Sequence, residues 1–112
     1  MTPESLIKGQ AYYRITYADP HLTIPGVEPM MYVGIDLFEG ETGAEPRYYF
    51  QDTVSFHAHG SCVDYSGPPH TEEDTPFNVY SFTTEELGSG LVDLPGAVRA
   101  VTEANQRAAK LK

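Results

Sequence analysis

Arg47 to Cys62 reads RYYFQDTVSFHAHGSC, and two backbone conformations compete for its second half. Tyr48, Tyr49 and Phe50 make it the most aromatic strand candidate of the chain, suited to a pleated, half-buried surface. Beyond them Asp52 is a good helix N-cap, Gly60 is a good residue just past a helix end, and the seven residues between make two turns. Val54, Phe56 and Ala58 would suit a strand as well. The capping residues favour the helix, so the expectation is a strand running into a short helix.

The choice decides what chemistry the stretch can carry. On a strand, His57 and His59 project from one face, and with Cys62 or His70 they supply nitrogen and sulfur ligands of the kind Zn²⁺ takes. On a helix, residues two apart point roughly 200° apart and cannot share an ion. Histidine and cysteine at this spacing, without a second paired motif, otherwise read as surface or capping residues. Cys62 as a nucleophile, with His57, His59 or His70 as base and Asp64 as orienter, is the other candidate; it matches no catalytic cysteine signature and competes with a small, partly buried loop cysteine. Glu72, Glu73 and Asp74 lack the alternating oxygen donors and central glycine of a calcium loop. LGSGLVDLPG, residues 87–96, lacks the spacing, lysine and preceding strand of a phosphate-binding loop, and no serine elbow is present. No cofactor is expected.

N-terminal to this stretch, Gln10 to Tyr17 alternates Ala11, Tyr13, Ile15 and Tyr17 with Tyr12, Arg14 and Thr16, which predicts a strand. Pro20, Pro25, Gly26 and Pro29 argue that no regular element survives between 18 and 29. Met30 to Phe38 is a second strand, apolar on both faces and therefore central, with Gly34 marking a bulge or bend. Acidic EGETGAEP, 39–46, connects it to the aromatic strand, and the three strands most simply form an antiparallel meander. C-terminal to the stretch, Gly60 to Pro76 has no periodicity, a length at which a loop tends to be functional or mobile. Phe77 to Phe82 is a fourth main strand. Thr83 and Glu86 match a capping box ended by Gly88, and Asp93 with Pro95 opens a long helix. Its Leu94, Ala97, Val98, Val101, Ala104, Ala108 and Leu111 recur at spacings of three and four, a stripe that covers a core or, being alanine-rich, forms a homodimer seam.

The expected architecture is thus α+β: a small, strongly curved or partly barrel-like antiparallel sheet of four or five strands, a short helix after the aromatic strand, and a C-terminal helix packed on the sheet. At 112 residues, a single domain spanning 1–112 is expected, burying about two-thirds of its unfolded surface. An aromatic content of 12% separates it from disordered chains. MTPESLIKGQ has no basic and apolar leader pattern, no run approaches the ~20 apolar residues of a membrane span, and one cysteine permits no internal disulfide, which together predict a cytoplasmic setting.

The net charge of −9 is unevenly placed. Between Ile15 and Val98 fourteen acids face one base, Arg47, a balance of −13, while Arg99, Arg107, Lys110 and Lys112 crowd the end. So acidic a body argues against nucleic acid, whose phosphates are met by basic side chains, and against anionic membranes. The charge serves solubility or, on a sharper reading, meets a basic protein partner. Tyr12, Tyr32 and Tyr49, on faces opposite the main apolar sets, would then form a contact patch with Glu72, Glu73 and Asp74. The functional expectation is a protein-interaction module, or an inhibitor or immunity-type antagonist of a basic partner, rather than an enzyme. A metal-dependent or Cys/His enzyme centred on 57–70 and a structural oligomer subunit are the alternatives.

Overall fold

The structure, a computed structural model, describes residues 1–37, 46–64 and 77–111. A 3-10 turn at Pro3–Ser5 precedes β1 (Ala11–Tyr17), β2 (Pro25–Ile35), β3 (Tyr48–Asp52), α1 (Thr53–His59), β4 (Val79–Phe82), α2 (Thr84–Leu87), β5 (Leu91–Val92) and α3 (Leu94–Lys110). The strands form one antiparallel sheet in the order β4-β3-β2-β1-β5. The α+β class, the meander, the helix after the aromatic strand and the C-terminal helix on the sheet are all as the sequence predicts. The sheet is not closed, however, so the barrel-like alternative does not hold. β4 and β5 remain its two edges, and the chain passes from one to the other through α2 instead of pairing them.

β2 begins five residues earlier than expected and contains two of the prolines that argued against it. Register explains this. Pro29 pairs with Tyr13 and Pro25 with Tyr17, in phase with the Val27–Ile15 pair. The Ile15 amide points away from β2 and donates to the Gly90 carbonyl at 2.7 Å, so its partners on β2 also turn their nitrogens away from β1. β3 pairs with β2 only from Met30 onward, so no ladder bond is required of either proline. The connection shrinks to a turn in which the Asp19 carboxylate accepts from the Thr23 and Ile24 amides at 2.9 and 2.8 Å. The bulge anticipated at Gly34 is present: register shifts between Tyr32 and Gly34, and at φ 149° a Cβ would lie 2.8 Å from Leu37 Cδ2.

Alternation sends the two sheet faces to different fates. Tyr12, Met30, Tyr32, Tyr48, Phe50, Phe82 and Leu91 share one face and form a closed cluster, sealed by Leu87 of α2 with Met1 and Leu6 packed against it. Phe50 is its centre, with Tyr12, Tyr32 and Phe82 rings 6.2, 5.3 and 5.3 Å away. The opposite face carries both longer helices, α1 over β2 and β3 and α3 over β1, β2 and β5. Asp93 caps α3 by accepting from the Gly96 amide at 2.9 Å, and Ala97 and Ala104 are the side chains it buries. Arg107 also reaches the sheet, its guanidinium lying over the Tyr17 ring of β1, while Leu94, Val98 and Val101 of the predicted stripe stay exposed. No described helix is long and apolar enough to cross a membrane.

Candidate functional site

The junction of β3 and α1 is organised by polar side chains that the strand brings inside. Tyr48 and Phe50 point into the aromatic cluster, so alternation turns Gln51 to the helix-covered face, where it is fully buried. Its Nε2 donates to Ser55 Oγ and to the Gly60 carbonyl, both at 3.0 Å, and its Oε1 accepts from the Cys62 amide at 2.7 Å. One side chain thus ties the strand to both ends of α1 and the turn beyond, with every polar atom satisfied.

Asp52 does the same from the outside. Its carboxylate accepts from the Ser55 amide as N-cap and from the Asn78 amide ahead of β4, each at 2.9 Å, and the Ser55 hydroxyl also donates to it. Partial burial pushes the Asp52 carboxyl up, but the Ser55 hydroxyl and the two amides together outweigh it and hold the group below the ordinary carboxylate range. At the other end the Gly60 amide donates to the Phe56 carbonyl at 2.8 Å, with φ at 76°, a left-handed conformation that suits glycine.

Helical backbone over 53–59 answers the metal question for the histidine pair. His57 and His59 are exposed and diverge around α1, and the His59 ring meets Phe77 edge-on at 6.0 Å. Among the described residues no three His, Cys, Asp or Glu side chains cluster as metal ligands do, and His70 lies outside them. The strand geometry that would have let His57 and His59 share an ion with Cys62 is absent because Asp52 and Gly60 cap a helix there. Cys62 is half-buried, and burial pushes its thiol up, the opposite of what activates a nucleophile.

Beside α1, Lys8, Tyr32, Val33, Phe56 and Asp64 border a cleft of about 310 Å³, but neither histidine nor Cys62 lines it. Burial raises the Tyr32 hydroxyl at this cleft above the ordinary phenol range.

The tyrosines proposed for a contact patch are interior. Tyr12, Tyr32 and Tyr49 are 1%, 6% and 3% exposed. The faces opposite the main apolar sets in β1 and β2 are the aromatic core, and an aromatic ring with its hydroxyl at the core edge is the ordinary outcome: the Tyr12 hydroxyl accepts from the Ile7 amide at 2.9 Å. Glu72, Glu73 and Asp74 lie outside the described residues.

Composition alone could not show what the other acids do. Of the eight described acids between 15 and 98, six are hydrogen-bonded in place. Asp19 holds its turn, Glu28 pairs with Arg14, Asp36 accepts from the Arg47 amide, Asp52 and Asp93 cap helices, and Glu86 completes the capping box with Thr83. The Thr23 hydroxyl lowers the Asp19 carboxyl, and the Thr83 amide lowers that of Glu86. Apart from Glu28 of β2, whose charge Arg14 offsets, these acids are fixed negative charges at the turns and ends of the elements.

Comparison with family models, with curated proteins and with solved structures returned no match. What the chain does must be argued from its own residues.

Proposed function

We propose that the protein is a small acidic cytoplasmic interaction module that occupies a basic protein partner, as an inhibitor or immunity-type antagonist does. The observation that carries this reading is the balance of −13 between Ile15 and Val98, with Arg47 the one base among fourteen acids. A field of that sign steers a basic surface toward the molecule and repels nucleic acid and anionic lipid. Rigidity supports it further. Carboxylates already held by backbone amides present their charge without the side-chain ordering that flexible acids would lose on binding. Asp64 and Glu85, the two remaining described acids of this span, accept no described side-chain hydrogen bond and are free to meet a partner's lysines and arginines. The divergent His57 and His59 and the raised thiol of Cys62 supply no competing catalytic geometry.

The test is capture from the protein's own host lysate with the full chain as bait. A basic protein should be retained at about 0.05 M salt and released by about 0.5 M, as screening over a shrinking Debye length requires. Retention should also fall when Asp64→Lys and Glu85→Lys are combined. If nothing specific is retained, or if the retained protein ignores both salt and charge reversal, the proposal fails.

A further inference from the structure

β2 is eleven residues long and β3 only five. β3 leaves the sheet at Asp52, opposite Met30, so no described strand pairs with residues 25–29 on that side, and Gly26, Val27 and Pro29 are exposed. Ile15 turns its amide away from β2 to Gly90, so its partner Val27 turns its own backbone groups to the open edge. Alternation turns those of Pro25 and Pro29 the same way. Three carbonyls therefore face outward, and of the three residues Val27 alone has an N–H to give.

The segment best placed to use this edge is the continuation of β3 itself. Gln51 lies opposite Met31, so extension in the same register sets Thr53 against Pro29, Ser55 against Val27 and His57 against Pro25. Each is a pair that exchanges two bonds in an antiparallel ladder. The amides of 53, 55 and 57 would all find carbonyls, and the Ser55 carbonyl would find the Val27 amide. The Thr53 and His57 carbonyls would meet proline nitrogens, so two bonds of the six are forfeited, one of them at the first step. Side chains do not forbid the extension. Val54 and Phe56 would share a face, whereas on α1 Val54 is 78% exposed and Ser55 is the one buried residue.

We infer that Pro25 and Pro29 are a conformational lock that keeps 53–59 out of the sheet. Asp52 and Gly60 offer the helix its caps, and the two prolines, distant in sequence, withhold the ladder that a strand would need. Their spacing fits the role. Four residues apart on one strand, both present a missing donor to the same edge, and a proline one position along would break the β1 ladder instead. The lock has a chemical consequence, because the helix turns His57 and His59 apart while a strand would bring them to one face.

Nuclear magnetic resonance of the full chain reads the state of 53–59 through Cα shifts, cross-strand contacts and amide exchange. Asp52→Ala alone removes the cap and leaves the prolines, so 53–59 should loosen without pairing to β2. Adding Pro25→Thr and Pro29→Thr restores both N–H groups in a residue that suits strands. That triple variant should show extended shifts over 53–57 and contacts between positions 53 and 29 and between 55 and 27. Its Val27 amide should exchange at least about tenfold more slowly than with Asp52→Ala alone. A second arm keeps Asp52 and both caps, so the fold does not depend on the switch. There Pro25→Thr with Pro29→Thr admits the strand as a competitor, and the Gly60 amide, which closes the helix on Phe56, should exchange at least about threefold faster than in the unaltered chain. Pro20→Thr, in the turn before β2, should leave it unchanged. The inference is overturned if 53–57 stays helical or disordered in a folded triple variant, or if Asp52→Ala alone already pairs it with β2. Should the triple variant not fold, an unchanged Gly60 amide in the second arm, or one that Pro20→Thr moves equally, overturns it. Protection that grows with protein concentration also does so, because a second copy would then be taking the edge.

Discussion

The two helices on the same sheet face are seated in opposite ways. α1 is two turns long and buries a single side chain, the polar Ser55, while its Val54 is 78% exposed. So short a helix has almost no stability of its own, and little apolar burial supplies any. Directional bonds from Gln51 and Asp52 hold it instead. α3 is seventeen residues long, capped at Asp93, and lies on the sheet through Ala97 and Ala104. Small side chains let it approach closely, but they occupy a narrow stripe and leave an apolar flank over. A helix held by bonds fixes the residues around it; a helix laid down on alanines leaves its larger apolar side chains exposed beside the contact.

If α1 is held by bonds, removing the central one should cost most. Gln51→Leu keeps the volume but leaves the Gly60 carbonyl and the Cys62 amide without their partner, and a buried orphan costs ~1–3 kcal/mol, so a loss of about 3 kcal/mol in urea unfolding is expected. A change below about 1 kcal/mol would mean that packing seats α1 after all. Asp52→Asn comes next, at about 2 kcal/mol near neutral pH, because it exchanges charged acceptors for a neutral amide facing the Asn78 and Ser55 amides. The sign with pH follows from the lowered Asp52 carboxyl. Its contribution is complete above the unfolded value of ~3.9 and is lost as pH falls through the still lower folded value. Melting temperatures of the two proteins should therefore converge as pH drops below about 4, and a constant gap would assign the loss to shape rather than charge.

The same contrast explains what was legible in the sequence. Caps and alternation are local, and Asp52, Gly60, Thr83, Glu86, Asp93 and Pro95 mark their helices unaided; β2's place at the centre follows equally from its two apolar faces. What stayed hidden depends on register and on neighbours distant in sequence. Pro25 and Pro29 are tolerated only because their nitrogens face the side β3 has not reached. Tyr12 and Tyr32 are core because Leu87, carried across from the far edge by α2, closes the face that the alternation of β1 alone presented as secondary. Gln51 was missed as the organiser, although a glutamine inside an aromatic run, one position from Phe50, was a sign that something polar had to be met inside.

For α3, the close approach itself is testable. An alanine at position 96 would gain ~1 kcal/mol of helix propensity over glycine, but its Cβ would stand 2.7 Å from Val92 Cβ. Lifting the first turn off β5 should outweigh the gain, for a net loss of about 1 kcal/mol in thermal unfolding. Net stabilisation by Gly96→Ala would show that α3 rides higher than close seating allows.

The smallest effect bears most directly on how α1 is held. On a strand, Val54 would share a face with Phe56 against a packed surface, and its truncation to alanine would remove buried methyl groups and destabilise the protein by about 1 kcal/mol or more. On α1 it faces solvent and packs against nothing that truncation would empty. Alanine there avoids the rotamer restriction of a β-branched residue in a helix, a gain of about 0.5 kcal/mol. Val54→Ala should therefore raise the melting temperature slightly while Gln51→Leu lowers it sharply, although the valine is apolar and the glutamine polar. That inversion of the usual ranking is expected only where bonds, and not apolar contacts, hold the helix down; a fall with both variants would return α1 to the ordinary kind.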